Sequence, residues 1–152
     1  MNESTISEAG FTVSRTFDAP RELVWRLWTE PEHFSVWFGT AVVDVPLETL
    51  SLDVRVGGQL RAVMQLPSGD LIHWEGEYRE VDPPSRLVFT LTDVPGTDPG
   101  DPIVAEFAEV EGGTRVTLFQ PRHGFTDEQI QATILGYGSF FDAMETILTD
   151  LH

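Results

Sequence analysis

Cysteine is absent from this chain, and so is lysine: all nine basic residues are arginine. Without thiols there is no disulfide, no thiolate nucleophile and no cysteine-ligated zinc. Without a lysine amine there is no Schiff-base chemistry and no P-loop lysine. Positive charge is scarce as a whole. Nine arginines face 25 aspartates and glutamates, a formal net charge of −16. A field of that sign repels phosphate backbones and anionic lipid, so nucleic acid and membrane surfaces are not expected partners. No apolar run approaches the roughly 20 residues of a membrane span, so no insertion is expected. The first ten residues, MNESTISEAG, lack the basic and apolar regions of a secretory signal. Residues 1–10 are expected to form a flexible tail, and the chain is expected in the cytoplasm.

What is present suits a globular protein. Apolar residues make up 41% of the 152, with four tryptophans and ten phenylalanines among them. That length supports one domain with a sizeable core rather than two. Residues 11–17 alternate, with Phe11, Val13 and Arg15 on one side, and read as a strand. Asp18 and Pro20 then signal a helix start, with Leu23, Val24, Leu27 and Trp28 on its apolar face. Thr29 and Glu32 have capping-box spacing for a second short helix carrying Phe34, Trp37 and Phe38, which Gly39 ends.

Strands follow. Residues 41–45, 50–56, 58–65, 71–81, 86–92, 103–110 and 114–120 each carry a short apolar or alternating pattern, separated by turn signals such as Gly57-Gly58 and Glu111-Gly112-Gly113. The chain closes on one long helix. Thr126 and Gln129 form a second capping box, and Ile130, Ile134, Tyr137, Phe141, Met144, Leu148 and Leu151 recur at spacings of three and four. Strands joined by hairpins make an antiparallel sheet with one face to cover, and only this helix is large enough to cover it.

The block FDAPRELVWRLWTEPEHFSVWFG, the turn VGGQL, the segment GEYREVDPPSRLVFT, the hairpin EGGTRVTL and the aromatic-rich final helix occur in this order. Together they resemble the SRPBCC (START/Bet v 1-like) superfamily, and within it the single-domain heat-shock-protein-90 ATPase activator homologue (AHSA-type) group. The resemblance covers residues 11–150. It implies an α+β helix-grip: a curved antiparallel sheet around a long C-terminal helix, two short helices closing one end, and an apolar cavity inside. It implies a single domain over residues 11–152, and it allows a homodimer.

Alternation assigns the faces. Arg61, His73, Glu75, Glu77, Arg79, Glu106 and Arg115 fall on the solvent side. The candidate cavity lining is Trp37, Met64, Trp74, Tyr78, Phe89, Phe107, Gln120, Ile134, Tyr137 and Phe141. Trp74 and Tyr78 read first as core. Gln120 and Tyr137 either orient a ligand or satisfy each other. Gly76, on the inner face, reads as a bend in the sheet before it reads as space for a ligand.

No catalytic group is assigned, because no histidine or carboxylate falls on the inner face. His123 reads as loop surface near the cavity mouth. No metal or other cofactor is expected: the His-x-x-x-His and facial-triad spacings are missing. Asp93, Asp98 and Asp101 lack the EF-hand order and read as a solvated loop. The leading expectation is a protein that binds a small hydrophobic ligand such as a lipid, an aromatic or a polyketide-like metabolite. The alternatives are a cyclase- or aromatase-like enzyme using the same cavity, and a co-regulator of a chaperone ATPase of the heat-shock-protein-90 type.

Overall fold

The computed structural model describes residues 3–39, 43–98, 100–122 and 124–151. Strands β1 (Glu3–Ile6) and β2 (Gly10–Phe17) are followed by helices α1 (Arg21–Thr29) and α2 (Pro31–Gly39). A 3-10 turn (Leu47–Thr49) leads into β3 (Ser51–Leu52), β4 (Gln59–Gln65), β5 (Leu71–Asp82), β6 (Arg86–Phe89), β7 (Ile103–Val110) and β8 (Gly113–Pro121). The last element is α3 (Asp127–Leu151). All eight strands share one antiparallel sheet in the order β1-β2-β8-β7-β6-β5-β4-β3. The sheet curves around α3, and α1 and α2 close one end. This is the expected helix-grip. Among the described residues no helix is long and apolar enough to cross a membrane.

The capping box of α3 forms as the spacing predicts. The Thr126 N–H donates to Gln129 Oε1 at 2.8 Å, and the Gln129 N–H donates to Thr126 Oγ1 at 3.2 Å. Ile130, Phe141, Met144 and Leu148 carry the buried stripe of the helix. Opposite them, β2 presents Arg15 on the inner side, only 8% exposed. A buried charge needs partners. Arg15 has Asp142 at 2.8 Å and Glu145 at 3.2 Å, and its guanidinium lies 5.6 Å above the Phe141 ring. Helix and sheet are thus joined by charge as well as by apolar packing.

Strand β5 changes neighbours partway along. Leu71 to Glu77 pair with β4, whereas Tyr78 to Asp82 pair with β6 across a register shift between Tyr78 and Glu80. Gly76 sits just before this shift. An ideal Cβ there would lie 1.9 Å from the Thr90 carbonyl oxygen. The space a side chain would take is filled by backbone, so Gly76 serves close approach in a bent sheet and not ligand room.

Several local expectations change. Glu3–Ile6, read as tail, forms the edge strand β1, because its backbone pairs in register with Phe11 to Ser14 of β2. Thr29 does not cap α2: its hydroxyl donates to the Trp25 carbonyl at 3.1 Å, inside α1. The Glu30 carbonyl instead accepts the His33 and Phe34 N–H groups. Pro20, expected in the first turn of α1, stands at its N-cap without a side-chain cap. Residues 50–56 shorten to the two-residue β3, and residues 86–92 to β6 with an isolated bridge from Thr92 to Glu75. Of the expected strand at 41–45, Ala41 and Val42 lie outside the described residues, and Asp44 makes an isolated bridge to Gln65.

Candidate functional site

Helix α3 and the inner face of the sheet enclose a cavity of about 540 Å³. Its closed end is aromatic. Trp28 of α1 and Phe34, Trp37 and Phe38 of α2 form this end, and Phe140 of α3 packs against them. Trp28 and Trp37 have ring centroids 4.9 Å apart, and Phe38 stacks on Phe140 at 5.7 Å. The Trp37 indole N–H donates to the Leu27 carbonyl at 2.7 Å. Leu27 lies in the last turn of α1, whose carbonyls lack intrahelical partners. One side chain therefore fills the cavity end and satisfies the helix it packs on.

The sheet supplies Leu60 and Met64 from β4, Trp74 from β5, Phe89 from β6, Ile103 from β7 and Gln120 from β8. Across the cavity α3 presents Thr133, Gly136, Tyr137 and Phe140. The mouth is bounded by the connection between β6 and β7, with Thr92, Asp93, Asp98 and Asp101, and by Phe125. Those three aspartates, read from sequence as a solvated loop, stand at the cavity rim. The fold returns the loop over the opening, which linear spacing does not reveal.

Six of the ten sequence-derived residues line the cavity: Trp37, Met64, Trp74, Phe89, Gln120 and Tyr137. The other four are core. Phe107 sits beneath α1, edge-on to Trp25 at 5.4 Å and to Trp28 at 5.8 Å. Phe141 packs edge-on to Phe17 under Arg15. Tyr78 is fully buried beside Phe89, and Ile134 packs on the core. For the sheet residues Phe107 and Tyr78 the physical reason is coverage; Ile134 and Phe141 belong to α3 itself and point along the parts of that helix that pack on the core. Periodicity gives the face of a strand or helix, but α3 and α1 already cover part of the inner face. Only the part left uncovered becomes cavity. Trp28, Phe34, Phe38 and Phe140 line the cavity beyond the sequence-derived set, and the i, i+4 spacing of Phe34 and Phe38 is the signal for them in the sequence.

The polar chemistry inside is limited. The Tyr137 hydroxyl donates to Gln120 Oε1. Burial pushes the Tyr137 phenol above its ordinary value of 10, so it stays a neutral donor. Tyr78 is raised as well, first by burial and then by the charge of Asp53. An alkaline destabilisation follows. Above pH 10 the unfolded chain releases both phenol protons while the native state keeps them, so the native state binds more protons and loses stability as pH rises. No lysine or cysteine titrates in the same window. The melting temperature is expected to fall between pH 9 and 11, and Tyr137→Phe to remove about half of that slope. An unchanged slope in the variant would contradict the assignment.

Outside the cavity, donor atoms of Glu30, Glu32 and His33 lie within 4.8 Å of one another. The Glu30 carboxylate takes both the Nε and Nη2 groups of Arg26, at 2.9 and 3.3 Å, and that hydrogen-bonded arginine holds its pKa down. The cluster is thereby an ion pair with a neighbouring histidine, and none of its three residues lines the cavity. His123 lies outside the described residues.

The model of the family described as Activator of Hsp90 ATPase homolog 1-like protein matches residues 18–149. Among solved structures, a Mycobacterium smegmatis protein aligns at TM-score 0.81 and 23% identity, over 100% of this chain and 98% of that one. A Nitrosomonas europaea protein aligns at TM-score 0.81 and 26% identity, over 95% and 96%. An AHSA1-like protein of Aeromonas hydrophila aligns at TM-score 0.74 and 23% identity, over 99% and 94%. Among curated proteins, none matches the chain in sequence.

Proposed function

The chain belongs to the family of Activator of Hsp90 ATPase homolog 1-like proteins, and from that premise we propose that it binds a small hydrophobic ligand in the cavity between α3 and the sheet. One observation carries the reading. A volume of about 540 Å³, walled mainly by aromatic and aliphatic side chains, with a half-buried Gln120–Tyr137 pair inside and polar residues at its rim, has the size and chemistry of a small-molecule site. Such sites run from roughly 300 to 1,000 Å³. The occupant is held mainly by shape and burial.

Gly136 offers the test. It lines the cavity, and an ideal Cβ at that position meets nothing within 4 Å. A leucine there is expected to add bulk at the cavity wall, with no clash at its Cβ. Wild-type protein is expected to take up the uncharged fluorophore N-phenyl-1-naphthylamine saturably, and Gly136→Leu to weaken that uptake by about tenfold or more. Native mass spectrometry of the purified protein should find a non-covalent small molecule that Gly136→Leu loses. Wild-type protein that binds no uncharged aromatic or lipid probe saturably would end this reading.

A second reading, co-regulation of a heat-shock-protein-90 type chaperone, is favoured by the family's description. Added protein that leaves the chaperone's ATP hydrolysis rate unchanged would remove it.

A further inference from the structure

Among the described lining residues, three side-chain hydrogen-bond donors are already spent, and the Thr92 hydroxyl, at the rim, accepts from the Val94 N–H at 3.1 Å. The Thr133 hydroxyl donates to the Gln129 carbonyl at 2.9 Å, and the Trp37 N–H to Leu27. The Trp28 and Trp74 N–H groups have no partner, but neither atom has surface open to the cavity. The Tyr137 hydroxyl gives its proton to Gln120 Oε1. That bond occupies the carbonyl end of the Gln120 amide. The NH2 end, on the cavity wall, has no partner among the described residues.

An amide NH2 on an apolar wall calls for an oxygen acceptor. Charge narrows which one. Among the described lining residues there is no arginine, and the rim carries Asp93, Asp98 and Asp101. A carboxylate or phosphate would enter past like charges and lose its hydration without a counter-charge. Shape narrows it further, since walls built of Trp37, Phe38 and Phe140 favour a flat ring. We propose that the ligand is an uncharged, flat molecule whose carbonyl oxygen accepts a hydrogen bond from the Gln120 amide, with Tyr137 as the positioning residue that holds that amide. The assignment rests on the cavity being a ligand site.

The test uses two uncharged probes of similar body. The ketone 6-propionyl-2-dimethylaminonaphthalene emits further to the red when its carbonyl accepts a hydrogen bond; N-phenyl-1-naphthylamine has no carbonyl. Gln120→Leu is expected to weaken the ketone by about five- to tenfold, the loss of one hydrogen bond. Its bound emission moves to the blue, while the amine probe stays within about twofold of wild type. Tyr137→Phe keeps the ring and gives a smaller loss and a smaller blue shift. Equal losses for both probes, or an unchanged ketone emission in Gln120→Leu, would overturn the assignment and leave the cavity reading standing. Wild type that binds neither probe removes both. If Gln120→Leu does not fold, Tyr137→Phe decides: wild-type ketone affinity and emission there overturn the proposal.

Discussion

Trp37→Ala is expected to destabilise the protein by about 4–8 kcal/mol and to lower the melting temperature by roughly 10–30 °C. Two losses combine. Trp37 is 3% exposed and touches Trp28, Phe34, Phe38 and Phe140, so truncation opens a hole that close-packed neighbours fill only in part. Removing a buried tryptophan in this way costs about 3–5 kcal/mol. The Leu27 carbonyl also loses its indole donor, and an unpaired buried carbonyl costs about 1–3 kcal/mol. Trp37→Phe helps separate the terms, because it keeps a six-membered aromatic ring while losing the N–H and the smaller part of the indole. Urea denaturation of wild type and both variants measures this. A cost below about 1 kcal/mol for the alanine variant would contradict the packing described.

The second large effect is at a residue with no side chain. Gly76→Ala places a methyl group 1.9 Å from the Thr90 carbonyl oxygen and 2.9 Å from its carbon, both backbone atoms. No rotamer relieves that contact, so the chain around Thr90 must move off β5. Three hydrogen bonds are then at risk: Thr90 N–H to Glu77, Glu75 N–H to Thr92, and Thr92 N–H to Glu75, at 2.9, 3.0 and 2.9 Å. At about 1 kcal/mol each the expected cost is about 3 kcal/mol. Leu91 and Thr92 also line the cavity, so uptake of N-phenyl-1-naphthylamine is expected to fall in the same variant. A variant with wild-type melting temperature would show that the strands separate without cost.

The helix-grip was legible because it depends on patterns that the chain states locally. Alternation put Arg61, His73, Arg79 and Glu106 outside and Leu60, Met64 and Phe89 inside, and the structure agrees. Thr126 and Gln129 marked the start of α3 because a capping box is a contact between near neighbours. What was not legible depends on distance. Whether Phe107 reaches open space is decided by α1, some eighty residues earlier in sequence, whose Trp25 and Trp28 cover it, whereas Phe89, touched from α1 by Trp28 alone, still lines the cavity. The rim aspartates needed the return of a loop, and β1 needed a partner in β2 that polarity alone does not announce.

The two ends of the sheet bear on self-association. One edge is β1, four residues long and led by Glu3; the other is β3, two residues long. An exposed edge recruits a second chain only in proportion to the unpaired backbone it offers, and short edges flanked by charge offer little. Two copies meeting edge to edge would exchange few main-chain hydrogen bonds while each carried a charge of −16. Pairing at β1 or β3 therefore gives a dimer little to build on, and side chains on a helix or a sheet face are the expected alternative.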